Sequence, residues 1–359
     1  MSMSLLKGIK PMIDGFTEKK PICIIAQEAG GIPVALMEGF KHLGVKADLF
    51  IYNKQLLVGT TLINRLCHRI ADPGYQKDIE CLFNKAISDL KDKLRADEYS
   101  AMVIMKGQHL TQENRFFLSK LQIPLIVWTY DSLSRAMAQL DVMSIADHIY
   151  CLDGGDAREY KGRSTWLPLG YNDEYFNKSD CTKDIDVLIS GSIAGYYKKR
   201  KECIEKLGKS AISKKYNCVF IGTTGFRMKD MFVKTGNINW IEKRVSPKML
   251  GEYQSRAKIC INIHQDDGIW PVNLSFFSIP GSGSCQLAER KNYLCNFMEP
   301  EIEYEEFSDY DYLKKIELLM LDEERRVRIT ERGYLRSKTE HTMQARAREI
   351  LKKIIMLGK

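Results

Sequence analysis

The chain has 359 residues, more than the roughly 250–300 at which a single hydrophobic core stops growing, so two domains are expected. Apolar residues make up 44% of it, which supplies two packed cores and excludes a disordered or fibrous chain. The net charge of +8 is spread along the sequence, with only short basic runs such as 198–201. That suits an anionic small molecule or an anionic surface and argues against a nucleic-acid partner, which needs a concentrated basic patch.

Ten cysteines are scattered without a C-x-x-C pair or zinc-finger spacing. Cys23, Cys218 and Cys260 lie inside apolar runs, where a thiol is a small buried hydrophobe. Reduced thiols fit the cytosol. The N-terminus lacks the apolar core of a signal peptide, and the longest apolar runs have strand length, far below the roughly 20 residues of a membrane span. A cytoplasmic chain with at most peripheral contact at the inner membrane face is expected.

In chain order, strand-length apolar runs fall at 21–27, 46–53, 101–107, 124–131, 148–153 and 164–170, then at 184–192, 217–223, 237–243, 257–265 and 285–290. Several are continuous, such as Ile22-Cys23-Ile24-Ile25, and strands buried on both faces occur in parallel sheets. Between them lie helix-period segments. In 79–94 the residues Ile79, Leu82, Phe83, Ile87, Leu90 and Leu94 share one helical face. Alternation of strand and helix, occurring twice, predicts an α/β chain of two Rossmann-like domains. A polar stretch at 172–183 marks the junction. The expected division is 1–175 and 176–340, with a helix from about 341 to 357 that packs back on the first domain.

In open α/β sheets, ligands bind beyond the carboxyl ends of the strands. Glu28-Ala29-Gly30-Gly31 follows the first strand and precedes a helix; it is either a plain tight turn or a binding loop, and it lacks the dinucleotide fingerprint. Lys106-Gly107-Gln108-His109 follows the third strand, where a Lys and a His can meet a phosphate or act as base, or simply form a solvated loop. Tyr130-Asp131 ends the fourth; the carboxylate can contact a reacting hydroxyl or cap a helix. Ser190-Gly191-Ser192 opens the second half, with Arg200 on the next helix as a phosphate partner. The most informative stretch runs from Asn262-Ile263-His264 through Asn273 to Ile279-Pro280-Gly281-Ser282-Gly283. Asn273 is placed to cap a helix whose N–H groups can hold a diphosphate. Asp266-Asp267 lacks neighbouring ligands, so no metal is expected.

Around this last stretch the sequence resembles the CgeB-like, spore-protein-type glycosyltransferases of GT-B type. The resemblance rests on Asp186-Val187-Leu188-Ile189-Ser190-Gly191 with Arg200, on 257–264, on Val272-Asn273 followed by 279–283, and on Glu331-Arg332-Gly333-Tyr334 with Glu340-His341-Thr342 and Arg346-Ala347. It covers about 184–350, and the first half more loosely.

It implies two Rossmann-like domains facing across a cleft, and metal-independent transfer of a sugar from a nucleotide-sugar donor to a hydroxyl acceptor, with retention. No cofactor beyond the nucleotide-sugar co-substrate is implied. Donor contacts would fall to Gly191, Ser192, Arg200, Gly222, Asn262, His264, Asn273, Ser278, Ser282, Gly283 and Glu289. Acceptor contacts would fall to Gly30, Gly31, Lys106 and Tyr130, with Asp131 and His109 at the reacting hydroxyl.

One departure stands out. The family has Arg and Glu where this chain has Ser275 and Ser278, and by analogy that Glu binds the donor ribose. A serine offers one short hydroxyl instead of a bidentate carboxylate. Non-catalytic nucleotide or sugar binding, and epimerase or hydrolase activity on the same fold, are the alternatives.

Overall fold

The computed structural model describes residues 20–54, 73–160, 162–193, 198–223, 237–241, 243–264 and 268–358. The chain divides into two compact units, Met1–Pro168 with Met343–Lys359, and Leu169–Thr342.

The first unit is built on β1 (Ile22–Ala26), α1 (Ile32–His42), β2 (Ala47–Ile51), α2 (Pro73–Arg95), β3 (Ala101–Met105), α3 (Gln112–Leu118), β4 (Leu125–Trp128), α4 (Leu140–Ile145), β5 (His148–Cys151), α5 (Gly154–Glu159) and β6 (Ser164–Trp166). Its six strands are all parallel, in the order β2-β1-β3-β4-β5-β6. Every residue of β1, β3, β4 and β5 is buried, as continuous apolar runs require when helices cover both faces. Helix α2 contains the whole apolar face at 79–94, and its Ile79, Phe83, Ile87, Leu90 and Leu94 join the core formed by Met102, Ile104 and Val127.

The second unit contains β7 (Ile185–Ser190), α6 (Lys198–Lys209), α7 (Ile212–Lys215), β8 (Cys218–Ile221), β9 (Asn239–Ile241), α8 (Pro247–Arg256), β10 (Ala257–Asn262), α9 (Ser275–Gly281), β11 (Cys285–Glu289), β12 (Glu305–Phe307), α10 (Tyr312–Leu321) and α11 (Glu323–Glu340). Its strands are also all parallel, in the order β12-β11-β10-β7-β8-β9. The final helix, α12 (Met343–Leu357), belongs to the first unit, where it packs on α1. Tyr150 Oη donates to Glu349 O at 3.1 Å and Arg346 Nε to Pro168 O at 2.6 Å, fastening that helix in place.

All the expected strands have counterparts, shortened at their ends. Strand β12 was not expected, because Glu305-Glu306-Phe307 carries two carboxylates in three residues. Glu305 is nonetheless fully buried, paired with Lys315 at 2.6 Å and Arg325 at 2.7 Å. Cys23, Cys218 and Cys260 are buried, and burial pushes each thiol up to about 12. Among the described residues no helix is long and apolar enough to cross a membrane.

Candidate functional site

Both sheets contain a reversal of strand order. In the first, the chain leaves β1 for β2 on one side and then places β3 on the other. In the second, β7 has β8 on one side and β10 on the other. Such switch points open a crevice at the carboxyl ends of the strands. The sequence-predicted residues at the ends of β3, β4, β7 and β10 are therefore the ones to examine.

In the first unit, a cleft of about 330 Å³ lies beyond β3 and β4, lined among others by Lys106, His109, Asp131, Arg135, Glu80 and Met137. Lys106 sits at φ 56°, a left-handed backbone that a non-glycine residue adopts only when its surroundings impose it. Here Tyr52 Oη donates to Lys106 O at 2.6 Å, and Lys106 N donates to Trp128 O at 3.1 Å. The side chain then reaches Asp131, with Nζ 3.0 Å from Oδ2, while Arg135 lies 3.8 Å from the other oxygen. His109 joins the same cleft, half-exposed, with Nδ1 3.3 Å from Asp141 Oδ2. Lys106, Asp131 and His109 are thus brought together.

Tyr130 is not. Its side chain is buried and its hydroxyl turns to the Met105 sulfur at 3.5 Å. Tyr130 lies two residues beyond the end of β4, where the chain bends, and its ring has turned inward while Asp131 lines the cleft. Gly30 and Gly31, at φ 63° and 80°, shape the entry to α1 with open space around them. Glu28 Oε1 accepts from Gly31 N at 2.6 Å and holds that turn.

In the second unit, Gly191 follows β7 at φ 120°, and a Cβ there would lie 2.7 Å from Arg200 Nη1. Arg200 is buried by the same packing, with only 8% of the residue exposed. Nη1 donates to Ser192 O at 2.5 Å and Nη2 to Ile263 O at 3.1 Å. Arg200 therefore ties the ends of β7 and β10 together across the switch point. The sequence suggested a phosphate partner; the structure gives it a bracing role and leaves its charge beside the crevice. Gly222 packs directly on this turn, where a Cβ would fall 2.1 Å from Gly191 O. Its small size serves backbone contact.

Asn273 was expected to cap α9; the helix has Leu274 at its N-cap, and Asn273, one residue earlier, accepts through Oδ1 from Phe276 N in the first turn at 3.0 Å. It also closes a ring of buried amides. Asn273 Nδ2 donates to Asn262 Oδ1 at 2.9 Å, Asn262 Nδ2 to Gln286 Oε1 at 3.3 Å, and Gln286 Nε2 to Phe276 O at 3.2 Å. This circuit fastens the start of α9 to β10 and β11. Asn262 spends its amide within it, and Gln286, inside β11 rather than at its end, is an additional member that strand-end position does not single out. The signal for it was a polar residue inside a buried strand.

His264, just past β10, is 1% exposed, and neither imidazole nitrogen has a hydrogen-bond partner among the described residues. Burial, with Lys291 and Arg200 nearby, lowers its pKa to about 3, so the ring is neutral at pH 7. The Phe276 and Tyr293 rings flank it at 5.8 and 6.5 Å. Glu289 ends β11 and pairs with Lys291 at 3.3 Å, while its Oε2 is buried without a partner among the described residues.

Three expected donor residues lie elsewhere. Ser278 and Ser282 are buried and both donate to Gln254 Oε1, at 3.3 and 3.2 Å. Gly283, at φ 73°, closes the far end of α9. Lys183 Nζ bonds both Gly283 O and Ala257 O, at 2.6 and 2.9 Å, which puts Gly283 at the amino edge of the sheet, opposite His264. The spacing 273–283 was sound, but a short helix carries its two ends to opposite edges. Asp266 and Asp267 lie outside the described residues.

Comparison with solved structures places this architecture. Sucrose-phosphate synthase from Thermosynechococcus elongatus superposes with a TM-score of 0.66 at 14% identity, over 94% of this chain and 99% of that one. A glycosyltransferase from Rickettsia africae gives 0.63 at 10% identity, over 95% and 100%. Anabaena HepE in complex with UDP gives 0.60 at 10% identity, over 93% and 99%.

The fold is GT-B.

Residues 198–352 match the family model described as glycosyl transferase-like. That span begins at α6 and includes Arg200, Asn262, His264, Asn273 and Glu289, whereas β7 and Gly191, on the other side of the switch point, precede it. No curated protein matches the chain.

Proposed function

We propose that this chain is a glycosyltransferase that moves a sugar from a nucleotide-sugar donor to a hydroxyl acceptor. The observation that carries the reading is the switch point of the second sheet. There the Gly191 turn meets Arg200, the start of α9 bound by Asn273, and Lys291, the last three within the span that matches the family model. Helix-start N–H groups and fixed positive charge favour a diphosphate and stabilise the negative charge that grows on it as the sugar departs.

Two structural neighbours support a uridine nucleotide. One is HepE, in complex with UDP, and the other is an Escherichia coli trehalose-6-phosphate protein bound with UDP-2-fluoro glucose. The second unit holds the donor in this reading, and the first-unit cleft meets the acceptor, whose hydroxyl contacts Asp131 and His109 while Lys106 fixes Asp131. We further assign the chain to the CgeB-like group and expect a retaining, metal-independent reaction in the cytoplasm.

Isothermal titration with UDP and UDP-glucose, followed by a donor-hydrolysis assay, tests the proposal. Saturable binding with slow release of UDP from UDP-glucose is expected. Absence of binding to any nucleotide or nucleotide-sugar would end it. Ser278 favours a second reading, because its hydroxyl is spent on Gln254 where the resembled family has a carboxylate. Binding without turnover of any donor would select that non-catalytic alternative.

A further inference from the structure

We infer that Asp141 is a positioning residue that holds His109 in its Nδ1–H tautomer, leaving Nε2 as the basic nitrogen of the first-unit cleft. Asp141 lies 32 residues from His109, in the first turn of α4, and no sequence spacing links the two. The fold brings them together at three points. Asp141 Oδ2 lies 3.3 Å from His109 Nδ1 and accepts from Leu110 N at 3.0 Å, so one oxygen fixes both the ring and the backbone that follows it. Oδ1 meets Arg115 Nη2 at 2.5 Å. Partial burial raises the Asp141 pKa, but the Leu110 N–H, Arg115 and His109 outweigh it and hold the carboxyl below the usual range.

An ionised carboxylate only accepts hydrogen bonds. The proton shared between the two groups therefore belongs to His109 Nδ1. In a neutral imidazole that places the lone pair on Nε2. His109 is 55% exposed at its side chain and lines the cleft that also contains Lys106 and Asp131. The nitrogen that is not engaged by Asp141 is the one available to a hydroxyl there. In the retaining reaction proposed above, Nε2 accepts the hydrogen bond of that hydroxyl and orients its oxygen; as the new bond to the anomeric carbon forms, the diphosphate leaves with the old bonding pair and takes up the hydroxyl proton. The role of Nε2 in transfer rests on the proposed function; the tautomer does not.

Long-range proton–nitrogen NMR of the full-length ¹⁵N-labelled chain at pH 8 reads the tautomer directly, with His109→Gln identifying the signal among the six histidines. The wild type should show a protonated Nδ1 and an unprotonated Nε2. Asp141→Asn should move the ring toward the Nε2–H form, and Asp141→Glu, which keeps an anion, should restore Nδ1–H. An Nε2–H ring in the wild type, or an unchanged ring in Asp141→Asn, overturns the inference. Once a donor and acceptor are in hand, Asp141→Asn should lower kcat by about 10²-fold, the order that misplacing a reacting group costs, with little change in KM. A kcat within twofold of wild type also counts against it. A wild type that has the expected tautomer but turns over no donor would sink the transferase reading alone.

Discussion

Arg200→Ala separates a brace from a ligand. In the folded chain Arg200 is almost wholly buried and its guanidinium donates to Ser192 O and Ile263 O. Hydrogen bonds from charged groups contribute about 1.5–3 kcal/mol each, so deleting both should cost about 3–6 kcal/mol. That is a large fraction of the roughly 5–15 kcal/mol that holds a protein folded. With a urea slope of about 2 kcal/mol/M, the midpoint for the second unit should fall by about 1.5–3 M.

Circular dichroism and intrinsic fluorescence in urea provide the measurement, and Arg200→Lys should be intermediate because an ammonium cannot span both carbonyls. Gly191→Ala offers an independent check. Its Cβ would lie 2.7 Å from Nη1, so most of its cost should disappear in the Arg200→Ala background. If Arg200→Ala keeps its urea midpoint within about 0.3 M, roughly a tenth to a fifth of the expected shift, the bracing role is refuted. Arg200 would then stand as a ligand.

Asn273→Ala removes the bond to the first turn of α9 and opens the amide ring, and should cost about 1–3 kcal/mol while weakening UDP at least tenfold. Equal UDP affinity by calorimetry would remove Asn273 from the donor site. Acid should destabilise the chain through His264 and His148, whose folded pKa values lie at about 3 and about 4. The unfolded chain takes up these protons near pH 6.5 while the folded chain does not, so stability is complete above pH 6.5 and falls with pH. The slope approaches ~1.4 kcal/mol per unit for each histidine. Urea midpoints measured from pH 7 to pH 4.5 should show a shallower decline in His264→Phe, and identical slopes would contradict its neutral burial.

The distribution of what could be read in advance follows from how far each interaction reaches along the chain. Periodicity is local, so the strands, the face of α2 and the returning helix α12 were legible. Strand β12 was not, because Glu305 is apolar in neither composition nor pattern and becomes burial-compatible only when Lys315 and Arg325 arrive from other helices. The site divides in the same way. Strand ends named Lys106, His109, Asp131, Gly191 and His264 correctly as residues of the carboxyl edge, since that follows from strand direction. Their partners came from elsewhere in the sequence. Asp141 reaches His109 across 32 residues, Gln286 reaches Asn262 across 24, and Arg200 reaches Ile263 across 63. Each of those contacts decides chemistry: which nitrogen of His109 carries a proton, which amides are spent, and whether a guanidinium is available to an anion. A sequence names groups that can react, but their protonation and spare bonding capacity are properties of tertiary contacts. For that reason the tests of Asp141 and Arg200 bear most directly on how this chain works.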